Sequence, residues 1–396
     1  MTRGRLRPTL TMSEIFGPDR IFFPRAHDGY SDWLPEKPAV LDALTGGSLA
    51  IAGDMPVVCS EGFNTPVGLD LLAFTGFDVA QDRIHFTAGG QIHAFATAAT
   101  RPNAKIVFQH AFPPGSPGQI RSWIDPALLR YLNDKANLAE LVSPRNVPRR
   151  RIVDRDEHFA TADHALPAVL KVATGQSTGG GLGVAICRSP DDLRQAARTF
   201  EKCARIVVEE MLDVVRNPCL NFAVMPDGEV RYLGFADQDV TPQGRHYGNW
   251  IGLGSPIPEA AIEAATEPVR RAAVMGYRGL AGVDLALTGS NDTYVLDLNF
   301  RSNASTTAIL LAPAIASRSG ATVAHLRTVQ GPPHADELAA AMRPFVASGR
   351  LIPLTLFDAQ AAGYPGEGAR SRALIAGGSR ADVLATEAQM AAAGLG

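Results

Sequence analysis

The segment spanning residues 279–301, GLAGVDLALTGSNDTYVLDLNFR, constrains the fold of this chain more than any other. Two runs of alternating residues flank a turn-forming Gly-Ser-Asn-Asp, the pattern of a β-hairpin with one buried face. With the turn centred between Ser290 and Asn291, Asp284 falls opposite Asp297 and Gly282 opposite Asn299. One face then carries Val283, Leu285, Leu287, Tyr294, Leu296 and Leu298, and the other Asp284, Asp297 and Asn299. Two carboxylates directly opposed on a strand pair repel each other. Something positive should lie over them, and a hard divalent cation that takes oxygen ligands is the economical choice. The alternative is a solvated hairpin face with ordinary surface aspartates, and a one-residue bulge would shift the register.

A second motif bears on the same chemistry. Thr178-Gly179-Gly180-Gly181-Leu182-Gly183 lies between the apolar runs LPAVLKVA and VAIC. It lacks the Lys-Ser/Thr ending of a Walker loop and the G-x-G-x-x-G spacing of a dinucleotide fold, and it leads into a strand instead of a helix. A β-loop-β flap of this kind can lay backbone N–H groups over phosphates, because glycine permits close approach; a plain glycine linker is the alternative. Only five of the 37 basic residues are lysines, so each is worth inspecting. Lys171 stands on the apolar strand before the glycine loop. Lys135 follows Asp134 within a long amphipathic run from Pro126 to Val142, which reads as a helix capped by Asp125. Singly, each is a snorkelling surface lysine. The order is distinctive: lysine, lysine, glycine flap, acidic strand end Glu209-Glu210-Met211-Leu212, then Asp and Asp-x-Asn.

At ~150 residues per domain, 396 residues make two to three domains. Residues 1–120 alternate short apolar runs (Ile21–Phe23, Ser48–Ala52, Arg83–Phe86, Lys105–Phe108) with helical spacing at Val67–Phe74, which predicts a small α/β layer with a parallel sheet. Ala111–Gln119 is rich in Pro and Gly and reads as a linker. Beyond it, residues 121–330 form the central unit, with a flap subdomain near 150–212. A hairpin is expected at 220–235, a polar loop at 237–249 and a helix at 258–275. The remaining 331–396 read as an extension with Ala-rich helices and one apolar strand, Leu351–Leu356. Cys59, Cys187, Cys203 and Cys219 form no C-x-x-C pair and read as buried thiols in a reducing compartment. With 46% apolar and 19% charged residues and a net charge of −3, the chain is neither disordered nor a polycation, and no nucleic-acid partner is expected. No apolar run approaches the ~20 residues of a membrane span. The N-terminal arginines precede no apolar run, so no secretory signal is read and a cytoplasmic location is expected.

In this order the motifs resemble the ATP-grasp superfamily of carboxylate–amine ligases, over residues 20–330. The resemblance implies an α/β (α+β) fold: an N-terminal α/β domain followed by an ATP-grasp domain that holds the nucleotide between two α+β subdomains. It implies that Lys135 and Lys171 hold the nucleotide phosphates with Thr178, Gly179, Gly180 and Gly181, and that Glu209, Glu210, Met211 and Leu212 form the adenine hinge. Asp284, Asp297 and Asn299 match the family's metal ligands for Mg²⁺ or Mn²⁺, and Arg301 matches the arginine at the γ-phosphate or acyl phosphate. Asp297 stands where the family usually has Glu, and Asn221 where it often has a ribose-binding Glu. The large N-terminal region and the Arg301-Ser302-Asn303-Ala304-Ser305 ending resemble the pheganomycin-type peptide ligases.

The activity implied is ATP-dependent amide or peptide bond formation through an acyl phosphate, on amino-acid-like or peptide substrates in specialised metabolism. Its partners would be a small carboxylate and an amine. Arg25, Arg245, His246, Asn249, Asn303 and Ser305 are the candidate substrate contacts. Two alternatives stay open: a non-catalytic nucleotide-binding regulatory module, and a biotin-carboxylase-like carboxylating enzyme. The sequence leaves the oligomeric state open, a homodimer included.

Overall fold

The structure is a computed structural model that describes residues 5–27, 32–33, 37–79, 82–112, 121–161, 165–176, 178–241, 246–252 and 256–396. The linker read at Ala111–Gln119 falls mostly outside them.

The N-terminal region runs α1 (Met12–Phe16), β1 (Arg20–Phe23), α2 (Pro38–Asp42), β2 (Val57–Ser60), α3 (Pro66–Thr75), β3 (Arg83–Phe86), α4 (Gln91–Thr100) and β4 (Lys105–Phe108). Its strands pair in the order β3-β2-β1-β4, all parallel, as expected from the alternation. Ser48–Ala52, expected as a strand, is instead centred on a short 3₁₀ turn at Leu49–Ile51, and the strand is Val57–Ser60. Apart from Ser48 and Ser60 both runs are apolar, and such runs do not reveal their period. Because β2 and β4 lie on opposite sides of β1, the strand order reverses at β1. The crevice beyond the C-terminal ends of β1 and β4 is therefore where a ligand site forms in an open parallel sheet.

The next helices are α5 (Pro126–Asn133) and α6 (Leu138–Leu141). The long helix expected from Pro126 to Val142 is broken, because Asp134 adopts extended backbone and its side chain accepts the Ala136 N–H. Lys135 consequently starts a 3₁₀ turn between the two helices.

A small antiparallel sheet follows, built from β5 (Arg150–Asp154), α7 (Arg155–Ala160), β6 (Ala168–Val172), β7 (Val184–Cys187), α8 (Pro190–Thr199) and β8 (Arg205–Glu210), in strand order β5-β8-β6-β7. Helix α8 starts as its sequence dictates, with Ser189 and Asp192 forming a capping box behind Pro190. The glycine loop is the turn of the β6-β7 hairpin, where Lys171 pairs with Val184. Gly180 and Gly181 have φ of +61° and +78°, values that side chains resist.

The large sheet comprises β9 (Val214–Arg216), β10 (Pro218–Val224), β11 (Val230–Val240), β12 (His246–Ile251), β13 (Gly279–Thr288), β14 (Thr293–Asn299), β15 (Val323–Val329), β16 (Leu351–Pro353) and β17 (Ser371–Gly377), joined by α9 (Glu259–Val274), α10 (Thr306–Ser319), α11 (Ala335–Ala347) and α12 (Arg380–Ala392). Among the described residues its order is β14-β13-β10-β11-β12-β15-β17-β16, with β9 beside β13. The polar loop expected at 237–249 is largely strand, since β11 runs to Val240 and β12 starts at His246. Residues 331–396 supply β16 and β17 to this same sheet, and β15 and β17 were not read from the sequence. Helix α9 covers one sheet face through Ala261, Ala265, Val269 and Ala272, against Leu220, Phe222, Val283 and Leu285. The opposite face is covered at one end by α10 and the N-terminal region, where Ile309, Leu310, Ala236, Ala324, Leu326 and Leu374 share a core.

Candidate active site

The hairpin β13-β14 has the register read from its sequence where it matters: Asp284 faces Asp297 and Gly282 faces Asn299. Beyond that pair the register shifts by one, so Leu285 pairs with Val295. The inward apolar residue is therefore Val295, buried with Val283, Leu285 and Leu298, in place of the expected Leu296. Leu296 is the extra residue of the bulge, and such a residue leaves the ladder. Its carbonyl instead accepts from Lys171 Nζ at 2.7 Å.

That contact joins the small sheet to the large one. Lys171 also pairs with Glu209, Nζ to Oε2 at 2.6 Å, and their side chains are 8% and 3% exposed. Arg150 approaches the same carboxylate at 3.6 Å and donates to the backbone oxygen of Lys135. Lys135, also buried, is ion-paired with Asp297. The two lysines singled out by scarcity thus converge from different elements on one spot, each held by an acid.

Electrostatics follow from this geometry. Burial pushes the Asp297 carboxyl up, but Lys135, backed by Lys171 and Arg301, outweighs that and sets its pKa below the usual carboxylate value. Asp284 is shifted the other way, by burial and by the adjacent Asp297 charge. Asn299 donates to Asp284 at 3.3 Å and accepts from Arg301 at 2.8 Å. Arg301 also donates to the Thr178 carbonyl at 3.3 Å, which ties the glycine loop to the end of the acidic strand. Burial lowers the Arg301 pKa against the pull of both aspartates. Two carboxylates and an amide oxygen, one carboxyl under strain from its neighbour, form a donor set suited to Mg²⁺ with nucleotide phosphates completing the shell. Among the described residues no group of three or more His, Cys, Asp or Glu side chains is placed to hold a metal.

The other expected residues separate. Glu209 and Glu210 end β8, ahead of Met211 and Leu212; the Glu210 carboxylate accepts from Arg149, so both acids of this segment are engaged by basic side chains. Asn221, expected at a ribose, is buried on β10 and bonded to Ser305 and Thr306 at the start of α10. Ser305 is accordingly a packing partner. Asn303 lies over Gly282, where a Cβ would come within 1.9 Å of its Nδ2, and that buried donor has no partner among the described residues. Arg25, at the β1 end of the crevice, is buried and paired with Asp42 at 2.5 Å; Asp42 in turn accepts from Tyr364. His246 and Asn249 lie on β12 and bond each other at 3.0 Å. Arg245 lies outside the described residues. All four cysteines are free and buried, and burial raises the Cys219 thiol well above its usual value.

Sequence reasoning missed Glu209 as a side-chain partner, Arg150, Gln238 (which bonds Asp284), Gln109 and His110. Gln109 donates to the Ser302 carbonyl, and His110 lies beside Arg301 and Arg25. Both follow β4, and their position just past the C-terminal end of a parallel strand was a readable signal.

Two sheets clamped around paired lysines and opposed aspartates, behind a parallel N-terminal layer, define an ATP-grasp ligase. Family models of L-aspartate–L-methionine ligase match this chain twice: the N-terminal domain over residues 11–130 and the ATP-grasp domain over residues 148–299, together well over half its length. The chain belongs to the ATP-grasp ligases, and the models it matches are those of an amino-acid ligase. The narrower likeness to pheganomycin-type ligases rests on the sequence motifs alone.

Solved structures share the fold. An ADP complex of the N5-carboxyaminoimidazole ribonucleotide synthetase PurK aligns with a TM-score of 0.59 at 15% identity, over 99% of this chain and 98% of that one. An L-amino acid ligase from Bacillus licheniformis aligns at 0.55 and 10%, over 95% and 98%. A biotin carboxylase–β,γ-ATP complex from Campylobacter jejuni aligns at 0.53 and 14%, over 94% and 90%. Among the described residues no helix is long and apolar enough to cross a membrane.

Proposed function

We propose that this enzyme joins two amino acids, of the aspartate and methionine class named by its family models, by activating one carboxylate as an acyl phosphate. The observation that carries the reading is the convergence of Lys135, Lys171 and Arg301 on the Asp284–Asp297 pair, within a chain matched by amino-acid ligase models at both its N-terminal and central regions. Phosphoryl transfer needs positioning and charge neutralisation more than covalent help from the protein. Lys135 and Lys171 would hold nucleotide phosphates, Asp284, Asp297 and the Asn299 oxygen would hold Mg²⁺, and Mg²⁺ would neutralise charge on the transferring group. Arg301 would steady the acyl phosphate. The amine of the second substrate then attacks the acyl carbon, the C–O bond to phosphate breaks, and an amide, ADP and phosphate leave. The glycine hairpin, already bonded to Arg301 through Thr178, would close the site against water.

The test is ADP release from ATP and Mg²⁺ with L-aspartate, L-methionine, both, or bicarbonate, with mass spectrometry of products. ADP and a dipeptide only when amino acids are present support the reading. Turnover driven by bicarbonate without an amine would establish a carboxylating enzyme instead, and binding of ADP without any turnover would establish a regulatory module.

A further inference from the structure

Arg372 stands on β17, in the region whose strand the sequence did not reveal. Its neighbours Ser371 and Ala373 point to the opposite side of the strand, so its side chain projects onto the same face of the large sheet as Asp284 and Asp297. The register shows this face strand by strand. Leu374, two residues beyond Arg372, pairs with Leu326, Leu326 pairs with Asn249, Asn249 pairs with Gln238, and Gln238 bonds the Asp284 carboxylate. The bulge between Asp239 and Val240 brings His246 onto this face as well, where it bonds Asn249. Gln238, Asn249 and His246 thus form a polar path from the acidic pair towards Arg372, with Leu326 and Leu374 beside its far end.

Arg372 has no acidic partner among the described residues. Among the described residues its side chain makes one hydrogen bond, Nη1 to Thr328 Oγ1 at 3.5 Å, the limit of such a bond, and Nη2 makes none. Burial alone lowers its pKa, to about 10, and His246 beside it is lowered by burial and by the Arg372 charge. Arg372 is half-buried, with Nη2 shut off from water; a guanidinium so placed without a counter-charge is costly to a fold and is kept where a ligand supplies the charge. Its planar fork matches a carboxylate through two parallel hydrogen bonds.

We infer that Arg372, with Thr328, His246 and Asn249 around it, binds a carboxylate group of an amino-acid substrate that is not the carboxylate being activated, and so fixes which substrate lies along this path. This rests on the amino-acid ligase reading above. It assigns to residues 331–396 a part in choosing the substrate, with Arg372 as a binding residue.

Wild type is compared with Arg372→Gln and Arg372→Lys. Mg·ADP affinity should be unchanged and thermal unfolding unchanged or slightly raised, because Arg372 has no ion pair to lose among the described residues and only the long contact with Thr328. The KM for L-aspartate or for L-methionine should rise roughly 10- to 100-fold in Arg372→Gln, with kcat moving less. Wild type should prefer that amino acid over its α-amide or side-chain amide, and Arg372→Gln should lose the preference; Arg372→Lys should recover part of it. Unchanged KM values and retained discrimination overturn the inference while leaving the ligase reading intact. Should wild type ligate nothing, the ligase reading fails, and phenylglyoxal labelling mapped by mass spectrometry decides Arg372 by itself. Protection of Arg372 by a mixture of the proteinogenic amino acids, and not by their amides, supports a carboxylate site, and equal labelling with and without them overturns it.

Discussion

Replacing Lys171 by Met separates its structural role from the proposed phosphate role, because the lysine neutralises Glu209 in the ligand-free protein. The pair is 2.6 Å apart with both side chains almost wholly buried. At an effective dielectric near 20, unit charges that close attract by roughly 6 kcal/mol, and desolvation consumes much of that. Removing only the lysine forfeits the attraction but keeps the cost of burying Glu209, the situation in which losses of about 3–5 kcal/mol are found. Arg150 remains 3.6 Å from the other carboxylate oxygen, so the lower end of that range is expected. The Leu296 carbonyl loses its donor as well, which adds about 1 kcal/mol. Glu209→Gln should cost less, because the ammonium keeps Leu296. The double variant Lys171→Met/Glu209→Gln should be more stable than the sum of the two losses implies. Guanidinium unfolding of ligand-free protein, followed by tryptophan fluorescence, measures all three, and Trp33 reports locally because it packs on Phe200 in the small-sheet core. ADP affinity of the same variants gives the phosphate role independently. A Lys171→Met protein within ~0.5 kcal/mol of wild type would show that the burial reasoning is wrong, whatever its affinity for ADP.

Asp297→Asn should nearly abolish ATP turnover with the fold retained, since it removes the charge that faces both Lys135 and the proposed metal; near-normal turnover at ordinary Mg²⁺ would remove the metal assignment. Asp284→Asn should act in the same direction but less severely. Alanine at Gly180 and Gly181 places side chains at positive φ, at about 1–2 kcal/mol each, and should lower the ratio of amide formed to ADP released while ADP affinity changes little; an unchanged ratio at an unchanged rate would make the hairpin a passive connection. Burial, with Arg301 and Arg25 beside it, drives His110 down to about 3, so the folded protein resists a proton that the unfolded chain accepts below about 6.5. That stability is fully present above pH 6.5 and should be lost as pH falls from there towards 3, by at most ~1.4 kcal/mol per pH unit, and His110→Gln should flatten the slope in acid unfolding curves.

Legibility in the sequence followed the range of the interactions. The hairpin register was readable because its turn and its period of two are local, and the parallel layer because strand and helix patterns alternate within residues 1–120. The break at Asp134 was hidden, since the run keeps a helical period while an Asp side chain satisfies the Ala136 N–H in place of the helix. Strands β15 and β17 were missed because their residues alternate weakly and are covered on both faces, so their identity comes from the partners they pair with. The lysines were found through their rarity, but not their acids: Glu209 looked like part of a backbone hinge, and only the β6-β8 pairing brings its carboxylate to Lys171.

The bulge at Leu296 connects these levels. A hairpin kept strictly in register would have buried Leu296 and used its carbonyl in the ladder, leaving Lys171 with one partner and the small sheet with one fewer tie to the large one. Shifting by one residue after Asp297 keeps the two aspartates opposed, buries Val295 instead, and turns the Leu296 carbonyl towards the lysine. The ammonium is then fixed between Glu209 on the small sheet and Leu296 on the large one, beside the carboxylate that holds Lys135. The irregularity therefore lies where the two sheets meet at the paired lysines and opposed aspartates, and the regular hairpin pattern that revealed the aspartates could not by itself disclose it.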